Sequence, residues 1–216
     1  ETVVISANKN ETNRLEAPIV VHVMTPKLFE NTNSVCLAQG LSFQPGLRVE
    51  TNCQNCGFQQ VRINGLDGPY TQLLLDGKAL FSSLNGVYGI EQIPTGMIER
   101  VEVMRGGGSA LYGANAIGGT VNIITKEPLN NLFMISHNLT AIGNSAYDNT
   151  TSLNTSLVNS QRDAGIYLFG TSRHRQHYDH DGDHFSEIGK LKLTTLGFRS
   201  FYKPTSQTKL TLEYHN

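Results

Sequence analysis

The sequence lacks a long apolar run and a strong net charge. Its 216 residues include 38% hydrophobic and 16% charged residues, and the formal net charge is −1. Such balance gives no bias toward nucleic acid or anionic membranes, while the length allows a buried core. The absence of a stretch of about 18 apolar residues excludes a transmembrane helix, but transmembrane β-strands alternate residue by residue and would not show one.

Enzyme motifs are also missing. The glycines at 106–108 lack the Lys and Ser or Thr of a P-loop and the spacing of a dinucleotide fingerprint. Serines and histidines are plentiful, yet none lies in a nucleophile motif such as G-x-S-x-G. The sequence therefore predicts no enzyme and no cofactor.

The most distinctive segment, residues 98–126, joins two strand-like runs through a glycine-rich turn. In the first run Val101 and Val103 alternate with polar Arg100 and Glu102, which predicts a half-buried strand. Ser109 is expected to cap a short helical turn. The second run is rich in β-branched residues and predicts a strand through Val121, Ile123 and Ile124.

This segment, RVEVMRGGGSALYGANAIGGTVNIITK, resembles the end of the plug domain of TonB-dependent outer-membrane transporters, where an Arg-Gly turn, an S-A-x-Y-G turn and an I-G-G-x-[VI]-N-I-I strand follow one another. Residues 59–77, QQVRINGLDGPYTQLLLDG, resemble the central plug motif, which ends in Asp-Gly. Residues 1–7, ETVVISA, resemble the TonB box, the segment that the energising protein TonB grips from the periplasm. Three motifs in the family's order make coincidence improbable.

The TonB-binding residues implied by this resemblance are Glu1, Thr2, Val3, Val4, Ile5, Ser6 and Ala7. They form a short β-prone run that is able to add as an edge strand to a partner sheet through main-chain hydrogen bonds. Without the resemblance, a frayed or docked terminal strand is the simpler interpretation.

The expected fold is an α+β plug followed by antiparallel strands of an incomplete transmembrane β-barrel. Residues 1–17 are assigned to the TonB box and linker, 18–128 to the plug, and 129–216 to about five barrel strands. Plugged transporters use about 22 strands, so the sequence is expected to be a fragment of a larger receptor. Its start at a TonB-like box indicates a processed, exported chain.

Within the plug, Thr25 and Pro26 signal a short helix, and a second is predicted from Val35 to Leu41. Strands are predicted around 47–50, 58–63 and 73–75. After Pro128 the candidate strands are 132–142, 150–158, 164–173, 191–202 and 208–214. Alternation in two of them fits lipid outside and lumen inside, although alternation alone favours a soluble antiparallel sheet.

Family resemblance also implies site residues. Arg62 and Arg105 match the plug arginines that pair with carboxylates of the barrel wall, which would lie beyond Asn216; surface or intra-plug ion pairs are the alternative. Two turns, 52–58 and 81–89, match the substrate-facing apices of the plug. They offer Asn52, Gln54, Asn55, Ser82, Ser83, Asn85 and Tyr88.

Three cysteines, Cys36, Cys53 and Cys56, give an odd count. In an oxidising periplasm a Cys53–Cys56 disulfide is the local option, with Cys36 as competitor or thiol. Zinc binding and thiol exchange at Cys53-x-x-Cys56 are the alternatives, and thiol exchange would make the chain a periplasmic redox protein.

Histidines and aspartates are concentrated in the stretch 174–184, which includes Asp179, Asp181 and Asp183. These three repeat the opening of an EF-hand loop, but its glycine and final glutamate are missing. A solvated polar loop outside the cell is therefore expected, and no metal site is assigned.

The family implies TonB-dependent import of a scarce iron complex, a ferric siderophore or haem, across the outer membrane of a Gram-negative bacterium, with cobalamin as the alternative. Expected partners are TonB with its inner-membrane complex, the metal-containing substrate, outer-membrane lipid and a surface lipoprotein, but not nucleic acid.

Overall fold

The computed structural model describes residues 3–4, 12–13, 15–53, 58–80 and 89–216. These residues divide into two compact units, one extending as far as Thr125 and the other running from Lys126 to Asn216. The first unit is α+β and the second consists of antiparallel strands, which confirms the predicted fold class. No helix among the described residues is long and apolar enough to cross a membrane.

The first unit contains nine strands and three short α-helices among its described residues. In chain order its strands are β1 (Val3–Val4), β2 (Thr12–Asn13), β3 (Val21–Met24), β4 (Leu47–Cys53), β5 (Phe58–Ile63), β6 (Thr71–Leu75), β7 (Lys78–Ala79), β8 (Ile98–Arg105) and β9 (Gly119–Thr125). Five of them form a mixed sheet in the order β3-β8-β9-β6-β7, in which only β6 and β9 are parallel. Antiparallel pairs β1–β2 and β4–β5 form separately.

The helices follow the predicted signals with one correction. Helix α1 (Pro26–Asn31) begins at its proline, and α2 (Leu37–Leu41) buries the expected apolar face. Helix α3 (Ser109–Tyr112) follows the glycine turn. Ser109 is its first residue rather than its cap: Gly108 holds that position, and no side-chain hydrogen bond caps the helix.

The prediction that β8 is half-buried was wrong. Val101, Val103 and the intervening Glu102 are all 0% exposed. Strand β8 lies between β3 and β9 inside the sheet, and its central residues are buried on both faces. Every residue of β9 is buried as well. Alternation thus identified the strand but not its depth, because a charged residue was assumed to face water.

Gly119 begins β9 in a conformation that only glycine adopts readily. Its φ is +144°, and a Cβ placed there would overlap the carbonyl oxygen of Met104 on the paired strand. This close approach lets β8 and β9 pair directly after the turn between them. It gives a physical reason for the second glycine of the I-G-G motif.

The second unit is one five-stranded antiparallel sheet in sequential order. Its strands are β10 (Leu132–Ile142), β11 (Ala146–Val158), β12 (Ala164–Arg175), β13 (Leu191–Thr205) and β14 (Thr208–His215). All five predicted strands are present, and β10 has the predicted bounds. Strand β11 begins earlier than predicted because polar residues around Asp148 pair fully with β10 and β12.

Burial in this sheet is the reverse of that in a soluble sheet. On β11, Leu153 and Leu157 are 43% and 58% exposed, whereas Asn154 and Ser156 are 2% and 3% exposed. The edge strand β14 also exposes its apolar residues, including Leu210 and Leu212. Water-soluble sheets hide such side chains, so this pattern favours a lipid-facing surface over the soluble alternative.

Candidate functional site

The N-terminal strand β1 is docked rather than free. It pairs with β2 through Val3 with Asn13 and Val4 with Thr12. Val4 is 0% exposed and packs against Val21. The rest of the predicted TonB box, Glu1, Thr2, Ile5, Ser6 and Ala7, lies outside the described residues. Val3 and Val4 are thus paired with β2 along one edge, and the side chain of Val4 is anchored in the first unit.

Arg62 on β5 forms ion pairs inside the first unit. Its guanidinium lies 2.5 Å from Glu50 Oε2 on the paired strand and 3.0 Å from Asp67 Oδ1. Arg62 is about one-third exposed and Glu50 less so, and these contacts match the intra-plug alternative. Pairing with carboxylates beyond Asn216 stays a prediction.

Arg105 at the end of β8 makes a different contact. Its Nη2 donates a hydrogen bond to the carbonyl of Pro45, and its guanidinium covers Gly46. Gly46 has a φ of +80°, which favours glycine, and a Cβ there would lie 2.8 Å from Arg105 Cζ, so the guanidinium would have to move aside. Arg105 thereby ties the glycine-rich turn to the loop before β4.

The predicted substrate-facing apices fall largely outside the described residues. This applies to Gln54, Asn55, Ser82, Ser83, Asn85 and Tyr88, and to Cys56 of the predicted disulfide; only the backbone of Asn52 and Cys53 is described. Strands β4 and β5 lead directly into the first apex. Cys36 is a buried thiol before α2 rather than half of a disulfide.

Side-chain hydrogen bonds hold the Asp76-Gly77 turn of the central motif against β9. The carboxylate of Asp76 accepts hydrogen bonds from the Thr125 backbone N–H at 2.9 Å and from its hydroxyl at 2.6 Å. Asn122 Oδ1 accepts from the Gly77 backbone N–H at 2.9 Å. These bonds fasten the turn after β6 to β9 and join the two motifs that the sequence showed separately.

A buried carboxylate lies at the centre of the plug sheet, and the sequence did not reveal it. Glu102 Oε1 accepts a hydrogen bond from Arg100 Nε at 2.8 Å. Tyr112 of the S-A-x-Y-G turn is 8% exposed. Burial raises the pKa of the Tyr112 phenol above its ordinary value of 10.0, and the Glu102 carboxylate raises it further.

The raised pKa predicts alkaline destabilisation of the plug. The folded plug holds the phenolic proton more tightly than the unfolded chain does, so this contribution is complete below pH 10.0 and is lost as the pH rises through the folded pKa. Absorbance of ionised tyrosine, followed as the pH rises, should therefore show a late phase that Tyr112→Phe removes. A late phase that persists in Tyr112→Phe would contradict this assignment.

The loop after β12 brings four carboxylates together. Oxygens of Asp179, Asp181, Asp183 and Glu187 lie within 4.8 Å of one another. Several accept backbone N–H groups of the same loop, for example Asp179 from Gly182 at 2.7 Å. Glu187 was not in the predicted cluster, because its sequence spacing fits no standard motif. The loop's hydrogen bonds agree with a self-contained polar turn.

On the polar face of the second unit, Arg173 and Asp148 form a buried ion pair. Arg173 Nε lies 3.0 Å from Asp148 Oδ1, and Nη2 lies 2.6 Å from Oδ2. Their exposures are 2% and 8%. The sequence analysis did not predict this pair: Asp148 lies outside the predicted strand 150–158, and the contact depends on the register of β11 and β12.

Comparisons with known proteins agree with this architecture. The family model of the TonB-dependent receptor plug domain matches residues 13–120. The vitamin B12 transporter BtuB of Vibrio vulnificus (strain CMCP6) is 35% identical over 127 residues, which are 59% of this chain and 21% of BtuB. The vitamin B12 transporter BtuB of Vibrio cholerae serotype O1 (strain ATCC 39541) is 31% identical over 126 residues, which are 58% of this chain and 21% of that BtuB.

Solved structures match the fold over both units. Pseudomonas aeruginosa FpvA bound to pyoverdines gives a TM-score of 0.75 at 18% identity, covering 98% of this chain and 26% of FpvA. The siderophore receptor PirA of Acinetobacter baumannii gives a TM-score of 0.73 at 24% identity, covering 90% of this chain and 31% of PirA.

The chain spans about a fifth of the curated relatives and less than a third of these two receptors. Members of the matched family are transporters and receptors rather than enzymes, and the family is one of outer-membrane β-barrel receptors. The chain therefore belongs to the TonB-dependent receptor family, of which it carries the plug domain and the first barrel strands.

Proposed function

We propose that this chain is the plug and opening barrel segment of an outer-membrane importer that takes up a scarce iron complex, a ferric siderophore or haem. Substrate bound above the plug alters its packing and releases residues 1–7. TonB then pairs with that segment and pulls, using the inner-membrane proton gradient. The work is transport, and no bond of the substrate needs to change.

The docked strand β1 carries this proposal. A two-residue strand with one side chain, Val4, fully buried is a small structure to open. Burying a valine side chain is worth about 1.5–3 kcal/mol, which a modest rearrangement of the plug can offset. A passive porin would have no use for a terminal strand that can be released in this way.

Exposure in the second unit supports membrane insertion. The outward face of β10–β14 carries exposed apolar residues such as Leu153, Leu196 and Leu212, and aromatic side chains lie at both ends of this face, Tyr147 at one end and Phe133 and Tyr202 at the other. Outer-membrane barrels have this apolar band with aromatic girdles. The outer membrane is therefore the proposed location.

Two substrate classes are proposed. The ferric siderophore or haem rests on the family resemblance, because the siderophore receptors among the structural neighbours are only 18% and 24% identical and support the fold alone. Cobalamin is the second candidate because the two sequence relatives reported above are vitamin B12 transporters, which are 35% and 31% identical over 127 and 126 residues. Both cargoes are metal chelates too large for passive pores.

Native mass spectrometry of the full-length receptor purified from its own host would test the substrate. We expect a bound ferric complex, haem or cobalamin, identified by the mass it adds. Iron and cobalt differ in mass and isotope pattern, so one spectrum separates the two candidates. A receptor that binds none of these when each is supplied in excess would contradict the proposal.

A further inference from the structure

The outward face of the second unit is almost free of charge. On β10–β13 this face consists of alternate residues, which start at Phe133, Tyr147, Ile166 and Lys192 on the four strands. Among these described residues none is an Asp or Glu, and Lys192 is the one lysine or arginine. A single cation on an apolar membrane-facing surface requires an explanation, because it is costly in hydrocarbon.

Lys192 lies in a polar row near one end of the strands. The strand register places Leu139 opposite Asn149, Asn149 opposite His174, and His174 opposite Lys192. Asn149, His174 and Lys192 are all exposed. Residues directly opposite each other have Cβ atoms about 5 Å apart, so one small anion can contact both His174 and Lys192.

The next row is also polar, and apolar rows follow. Thr151, Ser172 and Thr194 lie side by side on the outward face, with His137 Nδ1 2.9 Å from Thr151 Oγ1. Beyond them comes the row that contains Ile135, Leu153, Gly170 and Leu196. The face thus changes from hydrogen-bonding to apolar within two rows, as the membrane does between head groups and acyl chains.

A cleft of about 280 Å³ opens at this boundary. It is lined by Leu139, Tyr147, Asn149, His174 and Gln176. Its rim is held by two hydrogen bonds: Gln176 Oε1 accepts from the Tyr147 backbone N–H, and the Gln176 N–H donates to the Tyr147 carbonyl, both at 2.9 Å. The cleft therefore has a fixed wall on one side and donors of hydrogen bonds on the other.

We propose that this cleft and the adjoining Lys192 bind the anionic phosphate head group of a membrane lipid, with its acyl chains on the apolar rows. The Lys192 ammonium supplies the charge, while His174 and the Asn149 amide donate hydrogen bonds to phosphate oxygens. The described outward-facing residues of β10–β13 include no carboxylate, and carboxylates of the β12–β13 loop, such as that of Asp179, accept hydrogen bonds from backbone N–H groups of that loop. The site rests on the proposed membrane location but not on the identity of the cargo.

Lipid titration of the full-length receptor by native mass spectrometry tests this site. The probes are phosphatidylglycerol and phosphatidylcholine with identical acyl chains. We expect the receptor to retain phosphatidylglycerol preferentially, and Lys192→Gln with His174→Gln to weaken retention about tenfold, as expected for lost hydrogen bonds to a charged group. Lys192→Arg should retain it, and Lys192→Gln alone should show an intermediate loss.

Lys203→Gln is the matched control. It removes the same charge from the same strand, but Lys203 Nζ lies over the Phe201 ring on the opposite face. Equal retention of phosphatidylglycerol by the unchanged receptor and the double variant, or an equal loss in Lys203→Gln, would overturn the site. If the lipid site fails in this way but the receptor still accumulates its substrate, only the lipid site is refuted. If the chain folds without detergent, the proposed membrane location is refuted.

Discussion

Replacement of Val4 by proline should abolish concentrative uptake while leaving substrate binding unchanged. Pairing of residues 1–7 with TonB relies on main-chain hydrogen bonds, and proline removes a backbone donor. The partner carbonyl left unpaired costs about 1–3 kcal/mol, which weakens the TonB complex roughly 5- to 150-fold. Uptake of labelled substrate and equilibrium binding, measured on the same cells, separate the two effects.

Val4→Ala is the control for this experiment. Alanine removes most of the buried side chain but keeps the backbone N–H, so release becomes easier while pairing with TonB is preserved. We expect uptake by Val4→Ala to stay close to that of the unchanged receptor. Equal losses in both variants would show that the buried side chain, rather than strand pairing, is what transport requires.

Loss of Arg173 should cause the largest destabilisation in the second unit. Arg173→Leu leaves the Asp148 carboxylate buried without its guanidinium partner. Removing one member of a buried pair costs about 3–5 kcal/mol, whereas replacing both members by apolar residues is often nearly neutral. Urea unfolding of the detergent-solubilised receptor should therefore show a large loss for Arg173→Leu and a substantial recovery when Asp148→Leu is added.

An exposed ion pair supplies the comparison. Arg48 lies 3.0 Å from Glu50, but its side chain is 78% exposed. Arg48→Leu should cost at most about 1 kcal/mol. If Arg173→Leu cost no more than Arg48→Leu, the pair with Asp148 would not be the stabilising contact that its burial indicates.

Local sequence signals predicted most elements because each depends on neighbouring residues. The Pro26 start of α1, the apolar face of α2 and the bounds of β10 are all encoded within a few positions. The depth of β8 could not be predicted in this way. Glu102 is buried because of the strands on either side of it and the nearby Tyr112, and these are set by tertiary pairing.

For the candidate site, the family motifs predicted which residues matter but not the contacts that these residues make. They identified Arg62 and Arg105, but not that Arg62 pairs with Glu50 or that Arg105 bonds to the Pro45 carbonyl. These contacts depend on the β4–β5 register and on the turn before β4. The polar row formed by Asn149, His174 and Lys192 was equally hidden, because its members lie on three different strands.

Energy-dependent accumulation of the substrate is the most direct test of the proposed import. Cells that express the full-length receptor would be given the labelled complex identified by mass spectrometry, with and without TonB. The account predicts accumulation above the external concentration when TonB is present, and binding at the surface alone when it is removed. Equal accumulation in both strains would show that the receptor works without TonB and would contradict the account.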